Sequence, residues 1–103
     1  MPLCASLGST SPGHGCFRMP THKAVSASSN VFADGKPVHR QGDRWCTHIC
    51  IHRRHRHGWH SSVLARGSHS VYVNGRQCGR IGDRVACGSR VATSLIHSVF
   101  VGG

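Results

Sequence analysis

Acidic side chains are nearly absent. The 103 residues include three, Asp34, Asp43 and Asp83, against thirteen Lys and Arg. That shortage excludes a hydrolase built on paired carboxylates: Asp34 sits in an Asp-Gly turn, and Asp43 and Asp83 each stand between Gly and Arg, where a carboxylate accepts local backbone N–H groups and pairs with guanidinium. Aromatic residues number six and Leu and Ile are few, so the core is thin. No segment keeps a 3.6-residue apolar period, and Gly, Ser and Pro interrupt throughout, which excludes a helical domain. No apolar run approaches the length of a membrane span. No Cys-x-x-Cys pair exists among the six cysteines, which removes a zinc ribbon and a thioredoxin-like site. Nucleophile–base catalysis lacks a helix N-terminus or oxyanion loop to serve it, and we expect no enzyme. The N-terminus, Met1-Pro2-Leu3-Cys4-Ala5-Ser6-Leu7-Gly8, lacks the basic and long apolar regions of a signal peptide, so synthesis in the cytoplasm is expected, and with it reduced cysteines.

What the chain does have is charge, histidine and repetition. Net charge is +10 and ten His add to it, which suits an anionic partner. The densest basic run, His52-Arg53-Arg54-His55-Arg56-His57, reads as a solvated loop tip. One phrase recurs: Val31-Phe32-Ala33-Asp34-Gly35-Lys36 followed by Arg40-x-Gly42-Asp43-Arg44, then Val71-Tyr72-Val73-Asn74-Gly75-Arg76 followed by Arg80-x-Gly82-Asp83-Arg84. Asp-Gly and Asn-Gly after a short β-branched or aromatic run predict two-residue hairpin turns. A third opening, His97-Ser98-Val99-Phe100-Val101-Gly102-Gly103, matches His69–Gly75, and Leu7-Gly8-Ser9 resembles Ile81-Gly82-Asp83. Read circularly there are three copies, the third split between the two termini. The expected fold is all-β: a single domain over 1–103, a small pseudo-threefold assembly of short β-hairpins.

The repeat also aligns metal ligands. Six residues after Gly8 comes His14, six after Gly42 comes His48, and five after Gly82 comes Cys87. Copies arranged around an axis would bring these three together. A fourth ligand completes the tetrahedron that zinc takes in closed structural sites, and His60, just before an expected strand at Ser61-Ser62-Val63-Leu64, is the candidate. His52, His55, His57, Cys16, Cys46 and Cys50 compete for places in the set. Zinc is the expected metal and iron the second choice; a closed set makes the site structural. His39 and Cys78, on the return strands, read as packing or surface residues.

These phrases, with the corners Gly13-His14-Gly15-Cys16 and Cys87-Gly88-Ser89, resemble the PAAR-repeat proteins. The return strands read Pro37-Val38-His39-Arg40 and Gln77-Cys78-Gly79-Arg80, so the Arg is kept twice and the Pro once. The stretch 49–59 is the poorest match to the pattern. The resemblance implies a small cone of hairpins with zinc, held by three His and one Cys, near the vertex. It implies one such tip capping and sharpening each trimeric β-helical spike of a contractile injection machine, a phage tail or a type VI secretion apparatus, for piercing a target envelope. The protein would then be assembled into the virion tail or secretion apparatus, delivered to that envelope, and carry no fused toxin. The alternative is a small basic zinc module that binds nucleic acid; the repeats, the lack of a recognition helix and the few aromatics for base stacking argue against it.

Overall fold

The Asp34-Gly35 and Asn74-Gly75 turns carry positive φ at both central residues (50° and 73°, 55° and 77°), the geometry that closes a two-residue hairpin. They join β1 (Phe32–Ala33) to β2 (Lys36–Pro37) and β5 (Tyr72–Val73) to β6 (Arg76–Gln77) in the same antiparallel register, Phe32 opposite Pro37 and Tyr72 opposite Gln77. Between them in sequence lie β3 (Arg44–Ile51) and β4 (Arg56–Val63), a longer antiparallel pair. The computed structural model describes residues 1–11, 23–51 and 56–103, with backbone alone over 47–51 and 56–61. No helix occurs among the described residues, and the molecule is all-β, with extents of 43 × 23 × 23 Å.

The hairpins are organised by hydrogen bonds that run in closed rings of three. The Ala5 amide donates to the Gly79 carbonyl (2.8 Å), the Gly79 amide to His39 (2.9 Å), and the His39 amide back to Ala5 (3.1 Å). A second ring runs the other way: Leu7 to Pro37, Gln41 to Gln77 and Ile81 to Leu3, each 2.9 Å. The bridges Cys4↔Arg80, Ser6↔Val38 and Arg40↔Cys78 close the same circle. Each segment is thus an edge for one neighbour and a template for the other, so short strands leave few unpaired backbone groups. The third hairpin is made by the two ends of the chain, with Leu3 bridging Phe100 as Pro37 does Phe32 and Gln77 does Tyr72.

Two layers of apolar side chains stack along this axis. Cys4, Val38, Val73, Cys78, Ile96 and Val101 fill the layer beneath the hairpins. Ala5, Ala24, Trp45, Leu64, Val85 and Val91 fill the other. Space on the axis is tight: a Cβ on Gly79 would lie 2.8 Å from the His39 carbonyl oxygen, 2.8 Å from Leu64 and 3.2 Å from the Ala5 Cβ. With His39 present, the ring leaves its partners room only for Gly and Ala. His39 is fully buried and sits edge-on to Trp45 (5.6 Å, 86°). Its Nδ1 donates to the Ser26 carbonyl at 2.8 Å, while Nε2 has no hydrogen-bond partner among the described residues. Burial lowers its pKa against the opposing pull of the Ser26 carbonyl and the Asp43 charge, so the ring is neutral.

Candidate functional site

Each unit ends its return strand in the same turn. Gly8, Gly42 and Gly82 have φ of 83°, 85° and 93°, and the next residue folds its amide back to Ser6, Arg40 or Arg80. In two turns the side chains lock this shape: the Asp43 carboxylate accepts both Nε and Nη2 of Arg40 (2.9 Å each) and the Arg40 amide (2.8 Å), and Asp83 accepts Nε (3.0 Å) and Nη2 (2.8 Å) of Arg80. In the third, Ser9 Oγ takes the Ser6 amide at 2.9 Å. Burial alone would raise the Asp43 carboxyl, but the Arg40 hydrogen bonds and the Arg40 charge hold it below the usual carboxylate range. Both carboxylates are thus committed to guanidinium within their own turns.

From these turns the chain makes three excursions and comes back each time to the same layer. One leaves at Thr10 and returns at Lys23, which bridge each other; one leaves at Arg44 and returns through Val63; one leaves at Arg84 and returns at Arg90. The residues that follow, Ala24, Leu64 and Val91, donate to Ser9, Asp43 and Asp83 (2.8–3.0 Å) and accept from the three turn glycines. The metal-ligand candidates are distributed over these excursions. His48 and His60 are direct register partners across β3 and β4, beside a bulge that places one extra residue on β3 after Trp45. Cys87 is half-buried and its amide donates to Ser62 Oγ at 2.9 Å, two residues along β4 from His60. His14, and the competing Cys16, His52 and His55, lie outside the described residues, as do the side chains of Cys50 and His57. The Lys23 amide points at Cys46 Sγ (3.4 Å), which ties the end of the first excursion to β3. Among the described side chains no three His, Cys, Asp or Glu form a metal-binding group.

The structure moves one boundary. The expected strand after His60 begins at Arg56, so His60 is interior to β4; of the stretch that fits the repeat poorly, residues 49–51 belong to β3 and 56–59 to β4, and 52–55 lie outside the described residues. Other repeated positions carry a signal that the repeat alignment contains but that does not by itself declare a role. Phe32, Tyr72 and Phe100 occupy one position in three hairpins and are 56%, 56% and 55% exposed. Asp34, besides turning its hairpin, accepts the His97 and Ser98 amides and the Ser98 hydroxyl, bonds that lower its pKa and join the first hairpin to the third.

A family model described as the PAAR motif matches residues 20–93. No curated protein matches the chain. The match takes in the first two full units, the β3–β4 hairpin and the Cys87 excursion. Proteins of this kind are tip proteins of contractile injection systems that associate with a spike protein, and metal binding is general among them. The ring of hairpins and the matched span together establish that this chain belongs to the PAAR motif family.

Proposed function

We propose that one copy of this chain caps one trimeric β-helical spike, acting as a structural, non-enzymatic point that pierces a target envelope. The observation that carries this reading is the ring of Phe32, Tyr72 and Phe100. Three aromatics at one position of a pseudo-threefold hairpin set, each more than half exposed, give a single chain three similar contacts to offer three identical subunits. Leu3 opposite Phe100 supports a single domain over 1–103 whose third unit is split between the termini. At the excursion end, His14, His48, His60 and Cys87 would hold zinc in a closed set. The direct pairing of His48 with His60, and the tether of Cys87 to β4, support two excursions contributing to one site. A closed zinc supplies cross-linking and no open position for chemistry, and metal held by segments far apart in sequence resists their separation under load. Synthesis in the cytoplasm and assembly into a phage tail or secretion apparatus complete the proposal.

Native mass spectrometry of the tip mixed with its spike tests the docking: one tip per three spike chains is expected, and a Phe32→Glu, Tyr72→Glu, Phe100→Glu triple variant should no longer join. Equal numbers of tip and spike chains, or undiminished assembly of the triple variant, would refute it. For the metal, the purified protein should contain about one zinc, and Cys87→Ala should release it and lower the melting temperature. Zinc retained at the same stoichiometry in Cys87→Ala would remove that residue from the set.

A further inference from the structure

The two carboxylate–guanidinium turns are equivalent in sequence, but the clefts beside them are not. Beside Asp43 the cleft is filled by the neighbouring unit. Arg76 Nη1 lies 3.1 Å from Asp43 Oδ1, and its guanidinium covers Gly42. Ser26 Oγ donates to Asp43 at 3.1 Å, and Arg40 Nη1 meets Asn74 Oδ1 at 2.9 Å. Beside Asp83 the neighbouring hairpin presents Gly102 and Gly103 where the other presents Asn74 and Gly75. Arg80 Nη1 reaches only the Gly102 carbonyl (3.3 Å), and nothing lies within 4 Å of a Cβ built on Gly82. Arg66 stands where the first unit has Ser26. The result is an open cavity of about 340 Å³ lined by Arg66, His69, Arg80, Asp83, Arg84 and Arg90.

Four guanidinium groups share this cavity with one carboxylate, and both oxygens of that carboxylate are already taken by Arg80. The cavity therefore keeps a strong positive excess. A concave surface of one sign concentrates counter-ions. Two of the four groups are fixed in advance: Arg80 by Asp83, and Arg90 by the Gly82 carbonyl at 3.1 Å. Holding them costs a ligand little side-chain entropy. Several planar forks facing one space suit an anion with three or more oxygens and more than one charge, and the volume accommodates a substituent besides the anion itself.

We propose that the cleft beside Asp83 binds a dianionic phosphate group, taken either as free inorganic phosphate or as the monoester headgroup of an anionic lipid. The first unit supplies the control residue for the test, since Arg66→Ser installs what stands at its equivalent position. Isothermal titration of the full metal-loaded chain with inorganic phosphate, at ionic strength held constant with chloride, should show saturable binding. Arg66→Ser and Arg90→Ser should each weaken it about tenfold, the loss of one guanidinium–phosphate interaction, while Lys36→Ser, on the distant hairpin, should leave it unchanged. Sedimentation with phosphatidic acid vesicles separates the sources. Vesicle binding that inorganic phosphate competes away assigns the lipid headgroup; phosphate binding without vesicle binding assigns the free anion. Unsaturable binding of phosphate, or binding that Lys36→Ser weakens as much as Arg66→Ser, overturns the site.

Discussion

Ser9, Asp43 and Asp83 end three turns of one form, yet the chain leaves them in three ways: toward Lys23, through β3 and β4, and through the tight loop to Arg90. Inside the turns, backbone hydrogen bonds set the geometry, and side chains as unlike as Ala5, His39 and Gly79, or Ser6, Arg40 and Arg80, occupy equivalent places. Beyond the turns no such rule holds, and the candidate ligands are found there. Symmetry is thus a property of the hydrogen-bonded ring, which accepts unlike residues at equivalent places as long as their combined bulk fits the axis. The excursions vary in length and carry what is specific to this chain.

The ring breaks most readily at Gly79. A valine there would drive its Cβ against the His39 carbonyl, Leu64 and Ala5 together, on an axis where backbone from all three units meets. We expect a loss of about 3 kcal/mol or more, enough to abolish cooperative unfolding in a chain this small. Gly35 offers the contrasting case. Its Cβ would meet nothing within 4 Å, and only its positive φ of 73° opposes substitution, so Gly35→Ala should cost about 1 kcal/mol. Urea unfolding of the two variants side by side checks this; equal losses would show that the axis is not the constraint.

A smaller difference separates the two aspartates. Asp43→Ala strips the partner from Arg40 and Arg76 in a filled cleft and should cost about 3 kcal/mol. Asp83→Ala frees one guanidinium beside an open cavity that water enters, and about 1–2 kcal/mol is expected. The pH dependence follows the same sign. Because the folded Asp43 carboxyl titrates below its unfolded value of about 4, its contribution is complete above that pH and is lost as pH falls through the lower folded value. Asp43→Asn should flatten the acid limb of a stability–pH curve, and an unchanged limb would show that the pair does not act through charge.

His39 gives a gentler slope in a different window. Its folded pKa is lowered by burial, so stability is complete above the unfolded value of about 6.5 and declines as pH falls from there toward the folded value, while the unfolded chain alone takes up the proton. Subtracting the His39→Leu curve from that of the wild type should isolate a decline that begins near the unfolded value of about 6.5 and deepens as pH falls. A flat difference would mean that Nε2 is stabilised as the cation.

What the sequence declares is local. Asp34-Gly35 and Asn74-Gly75 announce their hairpins because the turn chemistry lies in two adjacent residues. The shared spacing of Gly8, Gly42 and Gly82 announces the turns for the same reason. The β3–β4 hairpin does not announce itself. From Ile49 to His60 polar and cationic residues obscure the alternation, and register shifts after Trp45 and Cys50 break what remains. Contacts between units, Arg76 with Asp43 or Asp34 with Ser98, join residues 33 and 64 positions apart and depend on the ring having closed. His48 and His60 show the boundary well: repeat spacing points to the first, but only the register of a hairpin hidden from pattern reading sets the second opposite it.

The mildest test concerns two cysteines that the ring holds together. Cys4 and Cys78 are free and buried, with sulfurs 3.5 Å apart, and the third position of their layer is Val38. If the backbone rings set the geometry and the side chains merely fill it, the layer should accept a second valine, since Val is close to Cys in size and the position already exists in that form. Cys78→Val should therefore change stability by less than about 1 kcal/mol, and the Cys4 thiol should remain protected from alkylation in the folded state. Cys46 and Cys87, both partly exposed in the excursions, should by contrast react with iodoacetamide in the presence of a chelator. A loss of several kcal/mol in Cys78→Val would mean that the thiol–thiol contact itself helps close the ring. The layer would then owe its symmetry to a specific side-chain pair as well as to the backbone.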